Sequence, residues 1–205
     1  SVSVEKNELL KNGVEIVLLL SKKMILVGKT HAVQEFEQFS FRDYGRPNRD
    51  KKSGIMPPKL ARMMINLSMC EKTGVLLDPF CGSGTIVSEA LLLGYRSIIA
   101  TDISVKAIKD TNANIAWLKK YVLHNTESIN SLSIFQENVQ TLSQKIPIES
   151  VSAVVTEPLL GPPLFQSPTP LFALGALRNL EGLYISAFFQ FYKLLILFYR
   201  LQKHL

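Results

Sequence analysis

The sequence predicts an α/β fold with a parallel sheet covered by helices, for three reasons. Short apolar runs typical of buried strands occur at residues 75–77, 97–101, 133–135 and 151–155. Helical segments alternate with these runs and have typical boundaries, since Gly94 follows the helix predicted at 86–93 and Ser104 is a typical N-cap for a helix at 104–118. Such alternation produces βαβ units. With 205 residues and 47% apolar composition, the chain suffices for one domain of catalytic size.

The N-terminal residues have a different pattern. Residues 14–20 and 24–27 are short β-type runs, and residues 30–36 alternate apolar and polar side chains, which predicts a small β-rich piece. Residues 41–58 are rich in Arg, Asp, Gly, Pro and Lys, a composition typical of a linker, and a helix is predicted at 59–70. We therefore predict a β-rich extension with a basic linker over residues 1–54, followed by the main domain over residues 55–205.

The positive charge is concentrated in one segment. Of the net charge of +6, +5 lies between Arg42 and Arg62. A local basic cluster of this kind is expected where a protein neutralises the phosphates of a nucleic acid. A solvated charged loop is the alternative interpretation. The residues predicted to contact RNA are Arg42, Arg46, Arg49, Lys51, Lys52 and Lys59.

Cysteine usage and hydropathy restrict the protein class. The two cysteines, Cys70 and Cys81, lack the spacing of metal ligands, which favours a reducing, cytoplasmic compartment and predicts no metal site. The most apolar stretch, residues 183–201, contains Gln190, Lys193 and Arg200, which disfavours a membrane span. Its aromatic side chains are expected to belong to the core, and a cofactor or partner surface is the alternative.

The segment with the most specific pattern is Asp78-Pro79-Phe80-Cys81-Gly82-Ser83-Gly84-Thr85, between the first strand of the sheet and its helix. Glycines here let a ligand approach the backbone at a helix N-terminus. Asp102 ends the second strand, where a carboxylate can accept both hydroxyls of a ribose. Together these features predict a cofactor of the adenosine type. NAD is disfavoured because Val87 stands where a third glycine is needed, and a tight turn with an N-capping Asp is the purely structural alternative.

These residues support a family resemblance. Residues 55–118, with Pro57-Pro58-Lys59-Leu60-Ala61-Arg62, Asn66-Leu67, the glycine segment and Asp102, resemble the THUMP-associated RNA methylases, and within them the tRNA guanosine-10 N2-methyltransferase group. The likeness is specific over residues 41–158. It implies a Rossmann-like sheet that binds S-adenosylmethionine (SAM), with tRNA as the substrate.

The resemblance also implies roles for individual residues. Asp78 and the turn formed by Pro79, Phe80, Cys81, Gly82 and Gly84 would hold the methionine part of SAM. Asp102 would bind the ribose and Ile103 would pack on the adenine. After the third strand, Glu137 or Asn138 would contact the adenine amino group, and the spacing to Leu142 favours Asn138.

The catalytic tetrapeptide of the family, an Asp or Asn followed by Pro, Pro and an aromatic residue, corresponds here to Glu157-Pro158-Leu159-Leu160. Glu157 and the carbonyl of Pro158 would accept hydrogen bonds from the amino group that is methylated, and so orient its lone pair. Leu160 cannot stack on a base as an aromatic residue would, so the sequence departs from the family at the position that faces the substrate. A simple turn at the strand end is the alternative for Glu157-Pro158. DNA amino-methylation and a catalytically silent SAM-binding or RNA-binding partner subunit are the rival functions.

The strand count leads to one more expectation. A Rossmann-like methyltransferase has seven strands, whereas this sequence shows four, followed by an apolar helix predicted at about residues 180–202. The sheet would thus be truncated after its fourth strand and that helix, leaving an open edge and an uncovered apolar surface. The expectation is a partial SAM-dependent methyltransferase domain from a longer protein, inactive and aggregation-prone alone. The alternative is a short chain that takes the missing strands from a partner subunit.

Overall fold

The computed structural model of the protein describes residues 13–49, 56–123, 131–162 and 167–196. The chain forms two compact units, Ser1–Tyr44 and Gly45–Leu205. The division between them falls inside the segment 41–58 that the composition marks as a linker.

The first unit contains a β-hairpin and a helix. Strands β1 (Ile16–Leu20) and β2 (Ile25–Lys29) pair in antiparallel fashion, which confirms the two predicted β-type runs. The side chain of Ser21 closes the turn by accepting the backbone N–H of Met24 at 3.2 Å. Residues 30–35 contain no strand, contrary to the prediction, and helix α1 (Phe36–Tyr44) follows.

Helix α1 also shows that the predicted linker begins too early, at residue 41. Glu37 in its first turn and Arg42 in its last turn complement the helix dipole. The Arg42 guanidinium lies 4.4 Å from the ring centroid of Phe39, one turn away. Phe39 and Arg42 are three positions apart, which places them on one face of the helix. Residues 41–44 therefore belong to this helix although their composition is typical of a linker.

The second unit alternates strands and helices along the chain. In order, its elements are α2 (Pro58–Leu67), β3 (Val75–Asp78), α3 (Thr85–Leu92), β4 (Ser97–Asp102), α4 (Val105–Tyr121), β5 (Ser131–Gln136), a short 3-10 helix (Val139–Gln144), β6 (Ala153–Val154) and α5 (Pro170–Leu194). Apart from α5, the strands and helices predicted for this unit are confirmed with small shifts of their ends. Ser104 is the N-cap of α4, and its side chain accepts the N–H of Ala107.

The sheet is parallel, with the strand order β5-β4-β3-β6. All four strands therefore end at one edge. Successive residues of β3 point to opposite faces: Leu76 belongs to an apolar cluster with α2, α3 and α4, whereas Leu77 belongs to a second cluster with the 3-10 helix and α5. Both leucines are fully buried. The predicted α/β sheet covered on both faces is confirmed.

Helix α5 starts ten residues earlier than predicted. Pro170 occupies its first turn, and the hydroxyl of Thr169 accepts the N–H of Phe172 at 3.3 Å. A threonine N-cap followed by proline is a typical helix start, which the sequence interpretation overlooked. Only part of the helix is core, because Ala187 and Leu194 are buried whereas its exposed aromatic side chains include Phe188, Phe189 and Tyr192. The expectation that these aromatics belong to the core is wrong.

The end of α5 returns to the sheet. The helix ends at Leu194 rather than at residue 202, and Leu195 forms an isolated parallel bridge with Val151. The N–H of Ile196 donates to the carbonyl of Val151 at 2.9 Å. This contact lies two residues before β6, and β6 itself is the last strand of the described sheet, as expected from the sequence. Residues 197–205 of the predicted helix lie outside the described residues. Among the described residues, no helix is both long enough and apolar enough to cross a membrane.

Candidate active site

The predicted site residues meet at the carboxyl edge of the sheet. Strand β3 ends at Asp78, β4 ends at Asp102, and β5 is followed by Glu137 and Asn138. Beyond β6 the chain continues through Thr156 to Glu157. In open α/β sheets this edge is where ligands bind. The topology therefore brings side chains from four strand ends together.

The glycine turn contains Gly82 and Gly84, and the space around these two glycines differs. Both have positive φ, +53° at Gly82 and +81° at Gly84. A Cβ at Gly84 would lie 2.8 Å from the methyl group of Thr111, so close packing excludes a side chain there. A Cβ at Gly82 would meet nothing within 4 Å. The backbone at Gly82 is thus open to a ligand, whereas Gly84 packs the turn against α4.

Two side chains of α4 hold this turn, and the sequence analysis missed both. The hydroxyl of Thr111 donates to the carbonyl of Gly82 at 2.8 Å. The buried amide of Asn114 donates to the carbonyls of Ser83 and Asn48, at 2.8 and 2.9 Å, and its oxygen accepts the N–H of Asn48 at 2.9 Å. Thr111 and Asn114 are spaced by three and are both fully buried. Polar residues on the buried face of a helix are the signal that identifies them.

The carboxylate of Asp102 is held by backbone amides. Its Oδ2 accepts the N–H of Gly82 at 3.0 Å and its Oδ1 accepts the N–H of Ser104 at 2.8 Å. Each oxygen of a carboxylate has a further lone pair. Ile103, the next residue, is 67% exposed. Asp102 is therefore oriented by the protein and can still accept hydrogen bonds from a ligand, next to an exposed apolar side chain.

Asp78 is buried, and one of its carboxyl oxygens, Oδ1, accepts two hydrogen bonds. The hydroxyl of Thr156 donates to Oδ1 at 2.7 Å, and the N–H of Phe80 donates to the same oxygen at 3.4 Å. Burial raises the pKa of Asp78 to about 7, with the negative charge of Asp102 acting in the same direction and the two hydrogen bonds opposing it. Near neutral pH this carboxyl is poised between its two protonation states.

The two candidates for the adenine contact have local structural partners. Glu137 accepts the hydroxyl of Thr141 at 2.7 Å and the N–H of Asn138 at 3.0 Å, and these bonds lower the pKa of its carboxyl. The side chain of Asn138 caps the 3-10 helix by accepting the N–H of Gln140 at 3.0 Å. The backbone N–H of Glu137 donates to the carbonyl of Asp102 at 3.1 Å. Glu137 therefore lies beside Asp102, and the choice of Asn138 stays a prediction.

The segment after β6 presents Glu157 at the surface. Glu157 is exposed and Pro158 is partly buried. The hydroxyl of Tyr184, on α5, donates to the carbonyl of Leu159 at 2.6 Å. Leu160 is 73% exposed. Sequence reasoning selected Glu157 but missed Thr156, which directly precedes it and bonds to Asp78, and Tyr184, which bonds to Leu159 directly after Pro158.

The basic side chains between Arg42 and Arg62 differ in their exposure to solvent. Arg46 is only 6% exposed, and its guanidinium donates to the hydroxyl of Thr85 at 2.5 Å. Arg42 is also buried. A buried guanidinium is not presented to a polyanion, so the predicted phosphate contacts of Arg42 and Arg46 require correction. Lys59 is exposed, Arg49 is partly buried, and Lys51 and Lys52 lie outside the described residues.

Residues 46–158 match the family described as RMKL-like, methyltransferase domain. The chain belongs to this family. The matched region begins at Arg46, includes the glycine turn and Asp102, and ends at Pro158, directly after Glu157. The RMKL-like methyltransferase domain therefore includes the carboxyl edge of the sheet.

Relatives of this RMKL-like domain include tRNA (guanine(10)-N2)-dimethyltransferases from two archaea. The protein from Methanocaldococcus jannaschii is 31% identical over 144 residues, which cover 68% of this chain and 40% of the relative. The protein from Methanothermobacter thermautotrophicus is 32% identical over 143 residues, covering 70% of this chain and 36% of the relative. The chain thus spans about 40% of the length of these relatives.

A solved structure supports the fold of the RMKL-like domain. SMU.472, whose crystal structure was determined in complex with SAH, superimposes on 89% of this chain and 51% of its own with a TM-score of 0.52 and 14% identity. At this identity the likeness concerns the fold alone. It agrees with the Rossmann-like methyltransferase sheet expected from the sequence.

Proposed function

We propose that this chain is the SAM-binding part of a methyltransferase that methylates the exocyclic N2 amino group of a guanosine in tRNA. Membership of a methyltransferase-domain family and the names of its relatives support this proposal. The observation that carries it is the meeting of Asp78, the glycine turn, Asp102 and Glu157 at one edge of the sheet. In this account the protein acts on RNA in the cytoplasm.

The residues at this edge fit SAM, which supplies a methyl group carried on a sulfonium centre. Asp102 has lone pairs left for the ribose hydroxyls, and Ile103 offers an exposed apolar surface to the adenine. The adenine amino group is assigned to Asn138. The open backbone at Gly82 admits the methionine part. The carboxylate of Asp78, in its ionised form, would attract the positively charged amino group of the methionine part.

The remaining residues of the turn shape this pocket. Pro79 and Cys81 are buried, and Phe80 is partly buried. Burial and the nearby carboxylate of Asp78 raise the pKa of the Cys81 thiol, so this residue stays a neutral packing group rather than a nucleophile. Gly84 completes the turn against Thr111.

Glu157 and Pro158 are assigned to the methyl acceptor. The carboxylate of Glu157 and the carbonyl of Pro158 accept hydrogen bonds from the N2 amino group of guanine, which directs the nitrogen lone pair toward the methyl donor. Positioning of this kind accounts for much of the rate enhancement in a bimolecular transfer. Transfer of the methyl group would leave a positive charge on the nitrogen; the carboxylate of Glu157 would stabilise this charge and accept the proton that the nitrogen gives up.

Lys51, Lys52 and Lys59, with Arg49, are the basic residues assigned to the RNA backbone. Lys59 is exposed at the start of α2. Arg42 and Arg46 are left out because they are buried. Phosphate contacts made by lysines are sequence-independent, so the choice of nucleotide depends on other contacts.

A catalytically silent SAM-binding and RNA-binding subunit is the second candidate. The observation that favours it is Leu160, an exposed aliphatic residue at the position where the family has an aromatic. DNA amino-methylation is the rival substrate assignment, because it uses the same cofactor turn and the same type of tetrapeptide.

Incubation of the full-length protein with methyl-labelled SAM and tRNA, DNA or bulk protein separates these functions. After digestion to nucleosides, we expect the label in N2-methylguanosine from tRNA. Label in a methylated base of DNA would replace RNA as the substrate. Binding of SAM and tRNA with no label transferred would support the silent subunit.

A further inference from the structure

The last backbone hydrogen bond between β3 and β6 lies just before the proposed catalytic segment. The N–H of Val155 donates to the carbonyl of Leu77 at 2.9 Å. One residue later, the hydroxyl of Thr156 donates to Asp78 Oδ1 at 2.7 Å. A side-chain bond therefore extends the connection between the two strands to the residue directly before Glu157.

A second side-chain bond holds the other end of the segment. Tyr184, on α5, donates its hydroxyl to the carbonyl of Leu159 at 2.6 Å. Leu159 directly follows Pro158. Glu157 and Pro158 thus lie between two anchors: Asp78 at the end of β3 and Tyr184 on α5, a helix packed on the sheet through Ala187 and Leu194.

We propose that Thr156 and Tyr184 are positioning residues that hold Glu157-Pro158 in the geometry for methyl transfer. The inference rests on the proposed function. Neither side chain touches the reacting groups in this account. Each restricts the backbone that carries the acceptors, and small displacements of positioned groups lower rates strongly.

The arrangement also joins the two halves of the reaction. Asp78 is the first residue of the cofactor turn, and its Oδ1 accepts both the hydroxyl of Thr156 and the N–H of Phe80. The cofactor turn and the acceptor segment therefore share one carboxylate oxygen. In this account, Asp78 fixes the position of the turn that binds the methyl donor relative to the segment that binds the methyl acceptor.

Four variants test the proposal. Thr156→Val keeps the shape of the side chain and removes the hydroxyl, Thr156→Ser restores it, and Tyr184→Phe removes the second anchor. At saturating SAM we expect Thr156→Val and Tyr184→Phe each to lower kcat for tRNA methylation about tenfold while KM for tRNA stays within about threefold. Thr156→Ser should recover most of the lost kcat. The fourth, Thr156→Val combined with Tyr184→Phe, should lose more than either alone.

Backbone amide hydrogen exchange gives a readout that does not depend on activity. Exchange at Val155, whose N–H donates to the carbonyl of Leu77 directly before the segment, should accelerate in Thr156→Val and Tyr184→Phe while the interiors of β3 and β4 stay protected. Two matched controls should leave both exchange and kcat unchanged. Thr30→Val removes a hydrogen bond from a threonine to the Glu15 carboxylate in the first unit, and Tyr192→Phe removes an exposed hydroxyl from the same helix as Tyr184.

The outcomes separate the two proposals. If wild-type protein transfers no methyl group to tRNA, the proposed function fails, and faster exchange in the variants would still show that the anchors hold the segment. If wild-type protein is active but the variants keep their kcat, Thr156 and Tyr184 are not positioning residues. Unchanged exchange in both variants would also overturn the inference.

Discussion

The backbone amide of Gly82 donates to Oδ2 of Asp102 at 3.0 Å. This bond connects the turn after β3 to the end of β4, and Ser104 holds the other oxygen of the same carboxylate. The glycine turn, assigned to the cofactor, and the carboxylate assigned to the ribose therefore form one structural unit. A substitution in either part is expected to affect ligand binding through the other.

The first prediction concerns Asp102. Replacement by Ala removes the acceptor for the ribose hydroxyls and frees the amides of Gly82 and Ser104, so the affinity for SAM should fall at least about tenfold. Asp102→Asn keeps one acceptor oxygen and should lose less. Isothermal titration calorimetry measures both, with Asp110→Ala on α4 as a carboxylate control outside the sheet edge. Unchanged affinity in Asp102→Ala would remove this residue from the site.

The second prediction compares two glycines with nearly equal φ. Gly84 and Gly94 have φ of +81° and +84°, but an added Cβ meets Thr111 at 2.8 Å only at Gly84. Gly94→Ala should cost about 1 kcal/mol of unfolding free energy, from backbone strain alone. Gly84→Ala should cost about 2 kcal/mol more because of overpacking. Urea unfolding gives the difference, and equal losses would show that the turn relaxes away from α4.

The third prediction is a pH dependence from Asp78. Because burial raises the pKa of this carboxyl to about 7 in the folded chain, the folded state holds the proton more tightly than the unfolded chain does. Its contribution to stability is fully present below about pH 4 and is lost as pH rises through about 7. Asp78→Asn should remove this loss, so the slope of unfolding free energy between pH 4 and 7 should change by about 1 kcal/mol per pH unit. Parallel slopes for the two proteins would contradict the assignment.

The fourth prediction separates the lysines assigned to RNA phosphates from the buried Arg46. If Lys52 and Lys59 contact phosphates, replacing both by Gln should weaken tRNA binding and reduce the slope of log affinity against log salt by about 1.5. Lys119 and Lys120, exposed in the last turn of α4, provide a matched pair of controls. Arg46→Gln should instead destabilise the fold, because its guanidinium is buried against Thr85. An unchanged salt slope in the double variant would leave the segment as a linker.

Periodicity predicted the parallel sheet because its strands are short, apolar and separated by capped helices. Asp78 and Asp102 were placed correctly at strand ends for the same reason: each directly follows an apolar run. The misplaced elements have identifiable causes. Residues 30–36 fit a strand by alternation, and the start of α5 at Pro170 was overlooked although Thr169 and Pro170 are typical of a helix start.

The other features that the sequence did not predict depend on tertiary contacts. Arg46 lies in a segment whose composition is typical of a linker. Nothing in the neighbouring sequence shows that it is buried beside Thr85, 39 positions away. The bond between Thr156 and Asp78 joins residues 78 positions apart. Charge and motif identify candidate residues, whereas strand order and helix packing decide which of them meet.

Glu157→Gln tests the central claim most directly. The substitution keeps the shape of the side chain and one acceptor oxygen but removes the negative charge beside the amino group that is methylated. In the full-length protein we expect unchanged unfolding free energy and unchanged SAM affinity, with kcat for tRNA methylation lowered at least about tenfold. A variant that binds SAM normally and methylates tRNA at the wild-type rate would contradict the assignment of Glu157 to catalysis.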